Sequence, residues 1–203
     1  MYTAPHNRLA LGLLLLLTVG TPSVSDVAAI EPALPGPAAV VMRGGTPEEE
    51  ALLGWATARY EAAGLILPPL VVRFHADPAV CGDLDGFIRW DGGTFIIETC
   101  RTAGPALRHN LLHEIAHAWD LGGGLTEEVR ERFLTLRGVD AWHDLSDDWP
   151  QRGAEQAAEI LTWGLDRSPA RIPTRVGDVG PQDDASLTTA FETLTGRLPL
   201  WNS

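Results

Sequence analysis

The segment Arg108-His-Asn-Leu-Leu-His-Glu-Ile-Ala-His-Ala-Trp-Asp120 contains the pattern HExxH. On a helix, His113 and His117 lie one turn apart on the same face, so two imidazole nitrogens can bind a single zinc ion. Glu114 flanks that face, where its carboxylate can take a proton from a water molecule that the metal polarises. The pattern therefore predicts a helix that carries two metal ligands and a general base.

The residues around this pattern have the spacing of an amphipathic helix. If His113 is placed at zero and each residue adds about 100 degrees, His117 falls at about +40 degrees. Six apolar residues fill the arc from about 120 to about 260 degrees: Leu107, Leu111, Leu112, Ile115, Ala118 and Trp119. Arg108 lies inside the same arc and does not fit it. We therefore expect the histidines to face away from the core side of a helix that begins near Gly104-Pro105 and ends near residues 122–124.

Two histidines leave a catalytic zinc ion one protein ligand short, because such sites usually have three protein ligands and a position for water. The metzincin pattern HExxHxxGxxH requires glycine and histidine where this chain has Asp120 and Gly123, so that pattern is excluded. A glutamate on a later helix is the other common source. Residues 155–159 read ExxAE, and Glu155 and Glu159 fall on one face of a predicted helix. A solvated acidic stripe on an ordinary helix is the alternative.

HExxH followed by a downstream glutamate, with a second acidic residue four positions later, resembles the gluzincin zinc metallopeptidases. The chain is similar in particular to small secreted metallopeptidases of high-GC bacteria, over about residues 71–165. The resemblance implies one zinc ion per chain, with Glu155 as the third ligand and Glu159 as a carboxylate that hydrogen-bonds a zinc histidine. Many gluzincins have aspartate at the position of Glu159, so the reverse assignment of the two glutamates stays open. The expected fold is zincin-like α+β, with a small twisted sheet packed on the HExxH helix and the ExxAE helix below it.

Residues outside the two motifs complete the predicted site. Zincins bind the substrate backbone along an edge strand before the active-site helix, which gives four candidate residues: Thr94, Phe95, Ile96 and Ile97. Asp120 is predicted either to hydrogen-bond a ligand or to be an exposed acid near a helix end. His143 is a candidate donor to the oxyanion of the transition state. His109 is predicted to touch substrate or to lie on the surface, and His75 to be structural or exposed.

Two short strands around a glycine turn form a predicted β-hairpin. Phe87–Trp90 and Thr94–Ile97 flank Asp91-Gly92-Gly93, whose glycines can adopt the positive φ that a tight turn requires. The only two cysteines of the chain, Cys81 and Cys100, bracket this hairpin. In a secreted protein an even number of cysteines suggests a disulfide, and closing a loop of this size stabilises the fold by about 3 kcal/mol. Two free thiols are the alternative.

The remaining patterns predict one strand and four more helices. Thr46, Pro47 and Glu49 form the start of a helix, with the threonine as N-cap and the glutamate completing a capping box. The further elements follow in chain order: a strand at Leu70–His75 and helices at Thr126–Arg137, Gly153–Leu165 and Leu187–Thr195.

The N-terminal region has the composition of a secretion signal. A weakly basic start precedes the apolar run Leu9–Val19, which is too short to span a bilayer comfortably, and small residues suited to cleavage follow. We therefore predict a signal peptide at residues 1–25, with an uncleaved membrane anchor as the alternative. Residues 26–45 are rich in Pro, Ala and Gly and are predicted to be a flexible tether, and residues 46–203 to be one catalytic domain.

The overall composition limits the partners of the chain. Its 203 residues carry a net charge of −12 and are 45% apolar, which fits an acidic globular domain. Non-specific binding to nucleic acid or to anionic membranes requires basic patches, so we predict no nucleic-acid binding and no stable membrane association after signal cleavage. We expect a monomeric bacterial protein, secreted or otherwise extracytoplasmic, that acts on a peptide or protein substrate.

Together these patterns predict a secreted zinc metallopeptidase in which Glu114 is the general base. Two alternatives stay open: a secreted zinc-binding module without catalysis, and a metal-dependent amidase that acts on a cell-wall component. The intact Glu114 favours an enzyme, because a purely structural zinc site needs no general base and usually has a fourth protein ligand.

Overall fold

A computed structural model describes residues 39–82, 84–100, 105–143, 148–166 and 179–201. They form the predicted α+β fold class, with a four-stranded mixed sheet, five α-helices and one disulfide bond. The predicted signal peptide at residues 1–25 lies outside the described residues, as do residues 26–38 of the predicted tether. All of the described residues belong to one unit of the chain, Pro35–Ser203.

The sheet contains the strands β1 (Val40–Arg43), β2 (Leu70–Phe74), β3 (Gly86–Asp91) and β4 (Thr94–Thr99). Their order in the sheet is β1-β2-β4-β3. The first three of these run parallel, whereas β3 is antiparallel to β4 and forms an edge. Alternate side chains of β2 are buried, because successive residues of a strand point to opposite faces and one face carries the core.

Strand β1 corrects the predicted domain boundary. The predicted tether ends at Gly45, yet Val40–Arg43 pair in parallel with Leu70–Arg73 of β2. Val40 and Met42 pack against the core, while the residues between and after them are exposed. The predicted start of the folded part near residue 46 is therefore wrong, because the sheet recruits an apolar strand from the preceding Pro/Ala/Gly-rich region.

The predicted hairpin and its disulfide are confirmed. Strands β3 and β4 are joined by the two-residue turn Gly92-Gly93, where φ is 55° and 105°. Such angles favour glycine, because a Cβ atom would be strained there. Cys81 and Cys100 form a disulfide that ties the loop before β3 to the end of β4. The bond limits how far the two open ends of the hairpin can separate.

The five helices are α1 (Pro47–Ala62), α2 (Pro105–Trp119), α3 (Glu127–Arg137), α4 (Gly153–Leu165) and α5 (Asp184–Thr195). The capping box of α1 is confirmed: the hydroxyl of Thr46 accepts from the Glu49 N–H, and the Glu49 carboxylate accepts from the Thr46 N–H. Helix α5 begins before its predicted start at Leu187, because Asp183 caps it. In the described part of the chain, the helices are all too short or too polar to cross a membrane.

Helix α2 passes through the core of the fold. All six apolar residues of the predicted core arc are buried. The misfit Arg108 lies over the ring of Trp55 at 3.9 Å and pairs with Asp166 at 2.6 Å, so its charge is neutralised at the edge of the core. The face that carries the histidines packs against α4. The helix therefore has contacts on both faces, although only one of them is apolar.

Helix α2 ends at Trp119 and is followed by a wider, π-helical turn, Asp120–Gly124, which contains the three glycines that predicted the end of the helix. Gly123 has a φ of 91°, which glycine adopts far more readily than other residues. A Cβ atom on Gly124 would lie 2.3 Å from the indole of Trp119, so no side chain fits there. This turn redirects the chain from α2 into α3.

Candidate metal centre

Two helices bring three predicted ligands to one point. Helix α2 supplies His113 and His117, and the first turn of α4 supplies Glu155. The Nε2 atoms of the two histidines lie 3.1 Å apart, and Oε2 of Glu155 lies 3.1 Å from His113 Nε2 and 3.2 Å from His117 Nε2. We call these three atoms the ligand triangle. Their types and spacing form a group that could hold a metal ion.

The ligand triangle has the donor set and the size of a zinc site. Zinc binds imidazole nitrogen and carboxylate oxygen at about 2.0–2.2 Å in tetrahedral geometry, which separates neighbouring ligand atoms by about 3.3 Å. The three edges, at 3.1, 3.1 and 3.2 Å, are close to that spacing. Imidazole and carboxylate also suit other divalent transition metals, so the residues fit a metal ion of this class.

A second carboxylate lies directly behind the triangle. Glu159 is fully buried one turn further along α4, and its Oε1 lies 3.1 Å from Nδ1 of His113. The approach is oblique, so this contact is short without being a well-aligned hydrogen bond. The same oxygen lies 3.0 Å from Nε2 of His109, one turn earlier on α2. Glu155 therefore meets the Nε2 side of His113, and Glu159 meets its Nδ1 side.

The buried histidine and the two glutamates shift one another's pKa values. Burial lowers the pKa of His113, but Glu155 and Glu159 outweigh burial and raise it from 6.5 to about 10. Burial raises the pKa of each glutamate, but the histidines outweigh it. The pKa of Glu159 falls from 4.5 to about 2, and that of Glu155 falls well below its usual range. In the absence of a metal ion, the cluster therefore binds a proton at the position where a cation fits.

Glu114 is buried beside the first residue of β3. Its pKa is raised, chiefly by burial, although the charges of His113 and His117 oppose the rise. A Cβ atom on Gly86 would lie 3.6 Å from Cγ of Glu114 and only 2.8 Å from the side-chain amide nitrogen of Asn110. A side chain at residue 86 would collide with the Asn110 amide and with the Glu98 carbonyl, so glycine is what lets the start of β3 lie against this part of α2.

Strand β3, and not β4, is the edge strand beside Glu114. Strand β4 pairs with β2 on one side and with β3 on the other, so its backbone groups are already used. The prediction that Thr94–Ile97 binds substrate along an edge is therefore wrong. A hairpin sequence does not reveal which of its two strands joins the rest of the sheet. Among the described residues, no strand pairs with the outer side of β3.

The backbone of β3 presents hydrogen-bonding groups on that outer side. The Cys100 N–H donates to the Asp85 carbonyl at 3.1 Å, which fixes the alternation of the antiparallel ladder. From Asp85 onward, every second residue therefore directs its backbone N–H and C=O groups toward β4. The residues between them direct these backbone groups outward: Gly86, Ile88 and Trp90.

Asp120 does not support the ligand triangle. Its Oδ1 accepts hydrogen bonds from Arg130 at 3.1 and 2.7 Å, and its Oδ2 accepts one from Nε1 of Trp142 at 3.0 Å. Both predictions for this residue are wrong, because its oxygens are held by other partners and only 4% of the residue is exposed. Asp120 ties the end of α2 to α3 and to the segment that leads to α4.

The remaining histidines in the described ranges have separate environments. His143 is exposed beside the ring of Trp142, and in the described part of the chain no hydrogen bond or ion pair joins it to the triangle. The structure therefore gives its predicted role as an oxyanion donor no support. Nε2 of His75 lies 2.6 Å from Glu98 in the sheet, so this histidine has a structural contact. His109 meets Glu159, a partner that neither of its sequence-based interpretations includes.

Trp149 contacts the site although the sequence does not single it out. Its ring stacks on the ring of His113, with centroids 5.8 Å apart and an interplanar angle of 23°. The residue belongs to the short 3₁₀ turn Trp149–Gln151 just before α4. An irregular segment has no hydrophobic period, so nothing in its sequence shows which side chain turns toward α2.

Arg137 fixes the start of α4 from the side of α3. Its buried guanidinium donates to Oε1 of Gln156 at 3.1 and 3.0 Å, and also to the carbonyls of Val179 and Pro181. Burial lowers the pKa of this guanidinium. Gln156 follows the predicted ligand Glu155, so Arg137 helps to set the position of that ligand's turn. An arginine at the end of an exposed-looking helix gives no sign of such a role.

No family model matches this chain, and no curated protein or solved structure matches it either. Neither the family nor the activity is therefore assigned by similarity to a known protein. The function of the ligand triangle has to be inferred from the geometry of its own residues.

Proposed function

We propose that this protein is a zinc metallopeptidase of the gluzincin type. The observation that carries the proposal is the ligand triangle, where atoms from two helices meet at 3.1–3.2 Å. Three ligands leave one position of a tetrahedral ion for water or substrate, as in catalytic rather than structural zinc sites. The side chains of the triangle keep 8%, 14% and 18% of their surface, so a small molecule can reach them.

Glu114 supplies the proton transfer in this proposal. Bound zinc would act as a Lewis acid toward the scissile carbonyl and would lower the pKa of water. The carboxylate of Glu114 accepts the proton that water loses when its oxygen bonds to the carbonyl carbon. It then gives that proton to the amine nitrogen as the carbon–nitrogen bond breaks. In the metal-free protein, burial raises the pKa of Glu114 toward the neutral range, where a group that accepts and then releases a proton works best.

The free edge of β3 favours a peptide as the substrate. An extended peptide can add to a sheet edge by backbone hydrogen bonds, whatever its side chains are. The outward groups of Gly86, Ile88 and Trp90 are such an edge, and the first of them lies against Glu114. A peptide on this edge would pass the general base.

The disulfide supports an extracytoplasmic location within this proposal. Disulfides persist in oxidising compartments and are rare in the cytosol. The Cys81–Cys100 bond agrees with the secretion signal that the sequence predicts. A secreted zinc peptidase is therefore the combination that the site and the disulfide support.

The substitution Glu114→Gln tests the enzymatic part of the proposal. It keeps the size of the side chain but removes the group that accepts a proton. We expect the purified variant to bind zinc as the parent does, and its hydrolysis of an unstructured protein substrate to fall by about 10²- to 10⁴-fold. The exposed Glu61→Gln is the matched control and should leave both quantities unchanged.

Three results would contradict the proposal. Equal hydrolysis by parent and Glu114→Gln would show that the glutamate is not the base. A zinc-loaded parent that cleaves neither proteins nor peptides would leave a binding module, and cleavage of cell-wall peptides alone would indicate an amidase.

A further inference from the structure

His109 contacts the site through a carboxylate and does not itself reach the ligand triangle. It lies one turn before His113 on α2, and its Nε2 is 3.0 Å from Oε1 of Glu159. That same oxygen is 3.1 Å from Nδ1 of His113. One carboxylate oxygen thus lies between two imidazole rings of the same helix.

The position of Glu159 requires partners of this kind. Its side chain has no solvent exposure, and its other oxygen, Oε2, has no hydrogen-bond partner in the described part of the chain. A buried carboxylate is costly unless neighbouring donors compensate its charge. Both donors that face Glu159 converge on Oε1, and His109 makes the better-aligned contact of the two. His109 therefore decides which way the carboxylate of Glu159 points.

The orientation of Glu159 in turn bears on His113. A ring nitrogen that binds a metal has its direction set by what the other ring nitrogen contacts. When Nδ1 of His113 is directed to Glu159 Oε1, Nε2 is directed to the ligand triangle. If the carboxylate rotated away, nothing else in the described residues would hold Nδ1.

We propose that His109 is a positioning residue that aligns the metal ligand His113 by holding the carboxylate of Glu159. This inference rests on the proposed metal site and adds His109 to Glu159 as a residue that supports the ligand His113. His109 keeps 29% of its side-chain surface, so it connects the fully buried Glu159 to the protein surface. Neither the HExxH pattern nor the ExxAE pattern includes this residue.

The same atoms suggest a different arrangement that the experiment has to separate. His109, His113 and Glu159 also offer three ligand atoms within 4.8 Å of one another. A second metal ion there would use Nδ1 of His113, and His109 would then be a ligand. Zinc stoichiometry distinguishes the two cases, because positioning requires one zinc ion per chain and a second site requires two.

The test compares zinc affinity, by competition with a chelator, in the purified parent and three variants. His109→Ala removes the donor, and we expect its affinity to fall about 10- to 100-fold at unchanged stoichiometry. His109→Gln keeps an N–H donor at a similar distance and should recover most of that loss. His75→Ala is the matched control, because it removes a histidine–carboxylate contact on the sheet, away from the triangle. It should bind zinc as the parent does.

The free energy of unfolding of each metal-free variant, from urea denaturation, shows whether a loss of zinc affinity comes from misalignment of His113 or from destabilisation of the fold. Unchanged zinc affinity in His109→Ala, or an equal loss in His109→Ala and His109→Gln, would overturn the inference. A parent with two zinc ions, of which His109→Ala loses one, would make His109 a ligand and would also overturn it. A parent that binds no zinc would overturn the proposed function itself, and this inference with it.

Discussion

Nε2 of His113 lies 3.1 Å from Nε2 of His117, and both atoms face the same oxygen of Glu155. Two imidazole nitrogens at this distance cannot both carry a proton without repulsion, and two lone pairs would also repel each other. One proton shared as an N–H···N hydrogen bond, or one metal ion bound by both nitrogens, removes the conflict. Because the proton and the metal ion compete for the same lone pairs, metal binding and pH are linked.

Removing the third ligand should weaken zinc binding more than removing the glutamate behind it. Glu155→Ala deletes an atom of the triangle, whereas Glu159→Ala deletes a contact to Nδ1 of His113 and should cost about 10- to 100-fold in affinity. The measurement is zinc per chain and affinity by chelator competition, with the exposed Glu61→Ala as control. A greater loss in Glu159→Ala would reverse the two roles.

The metal-free protein should lose stability at both ends of the pH scale because of this cluster. The pKa of His113 is raised from 6.5 to about 10, so its stabilising contribution is complete below pH 6.5 and is lost as the pH rises through 10. The pKa of Glu159 is lowered from 4.5 to about 2, so its contribution is present above pH 4.5 and is lost as the pH falls through 2. Urea midpoints of the metal-free protein should therefore be highest between these two limits.

The variant His113→Asn provides the control for this pH dependence. It removes the titrating ring, so the decline of the urea midpoint above pH 6.5 should become shallower. Zinc affinity of the parent should rise with pH over the same range, because the metal displaces the proton of His113. A parent whose zinc affinity is constant between pH 6.5 and pH 9 would contradict this linkage.

A proline on the outer edge of β3 should impair substrate binding and leave the sheet intact. The N–H of Ile88 points away from β4, so Ile88→Pro removes no ladder hydrogen bond. Ile88→Ala removes the same side-chain packing but keeps the N–H. Relative to that control, one lost backbone hydrogen bond of about 1 kcal/mol should raise KM by about fivefold, with zinc content unchanged. Equal KM values in the two variants would show that substrate does not pair with β3.

Breaking the disulfide should destabilise the fold while the metal site stays formed. The bond between Cys81 and Cys100 encloses a loop with a sequence separation of 19, and the pair Cys81→Ser/Cys100→Ser should reduce the free energy of unfolding by about 3 kcal/mol. Urea denaturation measures that loss, and zinc per chain is the second measurement. A protein that folds but no longer binds zinc would show that the bond also shapes the triangle.

Asp120→Asn should reduce stability without affecting the metal. The substitution removes the charge of the carboxylate that pairs most closely with the half-buried Arg130 and leaves only the exposed Glu127 as its charged partner, at a cost of about 1–3 kcal/mol. Because both oxygens of Asp120 face Arg130 and Trp142, zinc affinity should be unchanged. If the zinc affinity of Asp120→Asn were as low as that of Glu159→Ala, Asp120 would have to support a metal ligand after all.

The sequence predicted those features that depend on nearby residues. The core arc of α2, the capping box at Thr46 and the turn Gly92-Gly93 are all local patterns, and each is confirmed. Strand β1 was missed because its four residues, although two of them are valines, lie in a Pro/Ala/Gly-rich region and become a strand only when β2, 30 residues later, pairs with them.

The errors at the site have the same cause. The Asp120 side chain has its partners on α3 and on the segment after it, and no spacing in the sequence connects these positions. The edge strand was misassigned because the partner of each hairpin strand is decided by β2. The partners of Asp120 and the place of each hairpin strand in the sheet both depend on how separate elements pack together, and not on a pattern within one element.

The unpaired side of β3 also bears on how copies of this chain avoid one another. Exposed strand edges can recruit further strands and start aggregation, and sheets resist this with short edges and charged side chains. The other edge strand, β1, has only four residues and ends with the exposed Arg43 before two glycines. On β3, Arg89 is held by Glu98, and the strand ends at the charged Asp91. Sheet-to-sheet association would have to compete with a peptide for the same row of backbone groups.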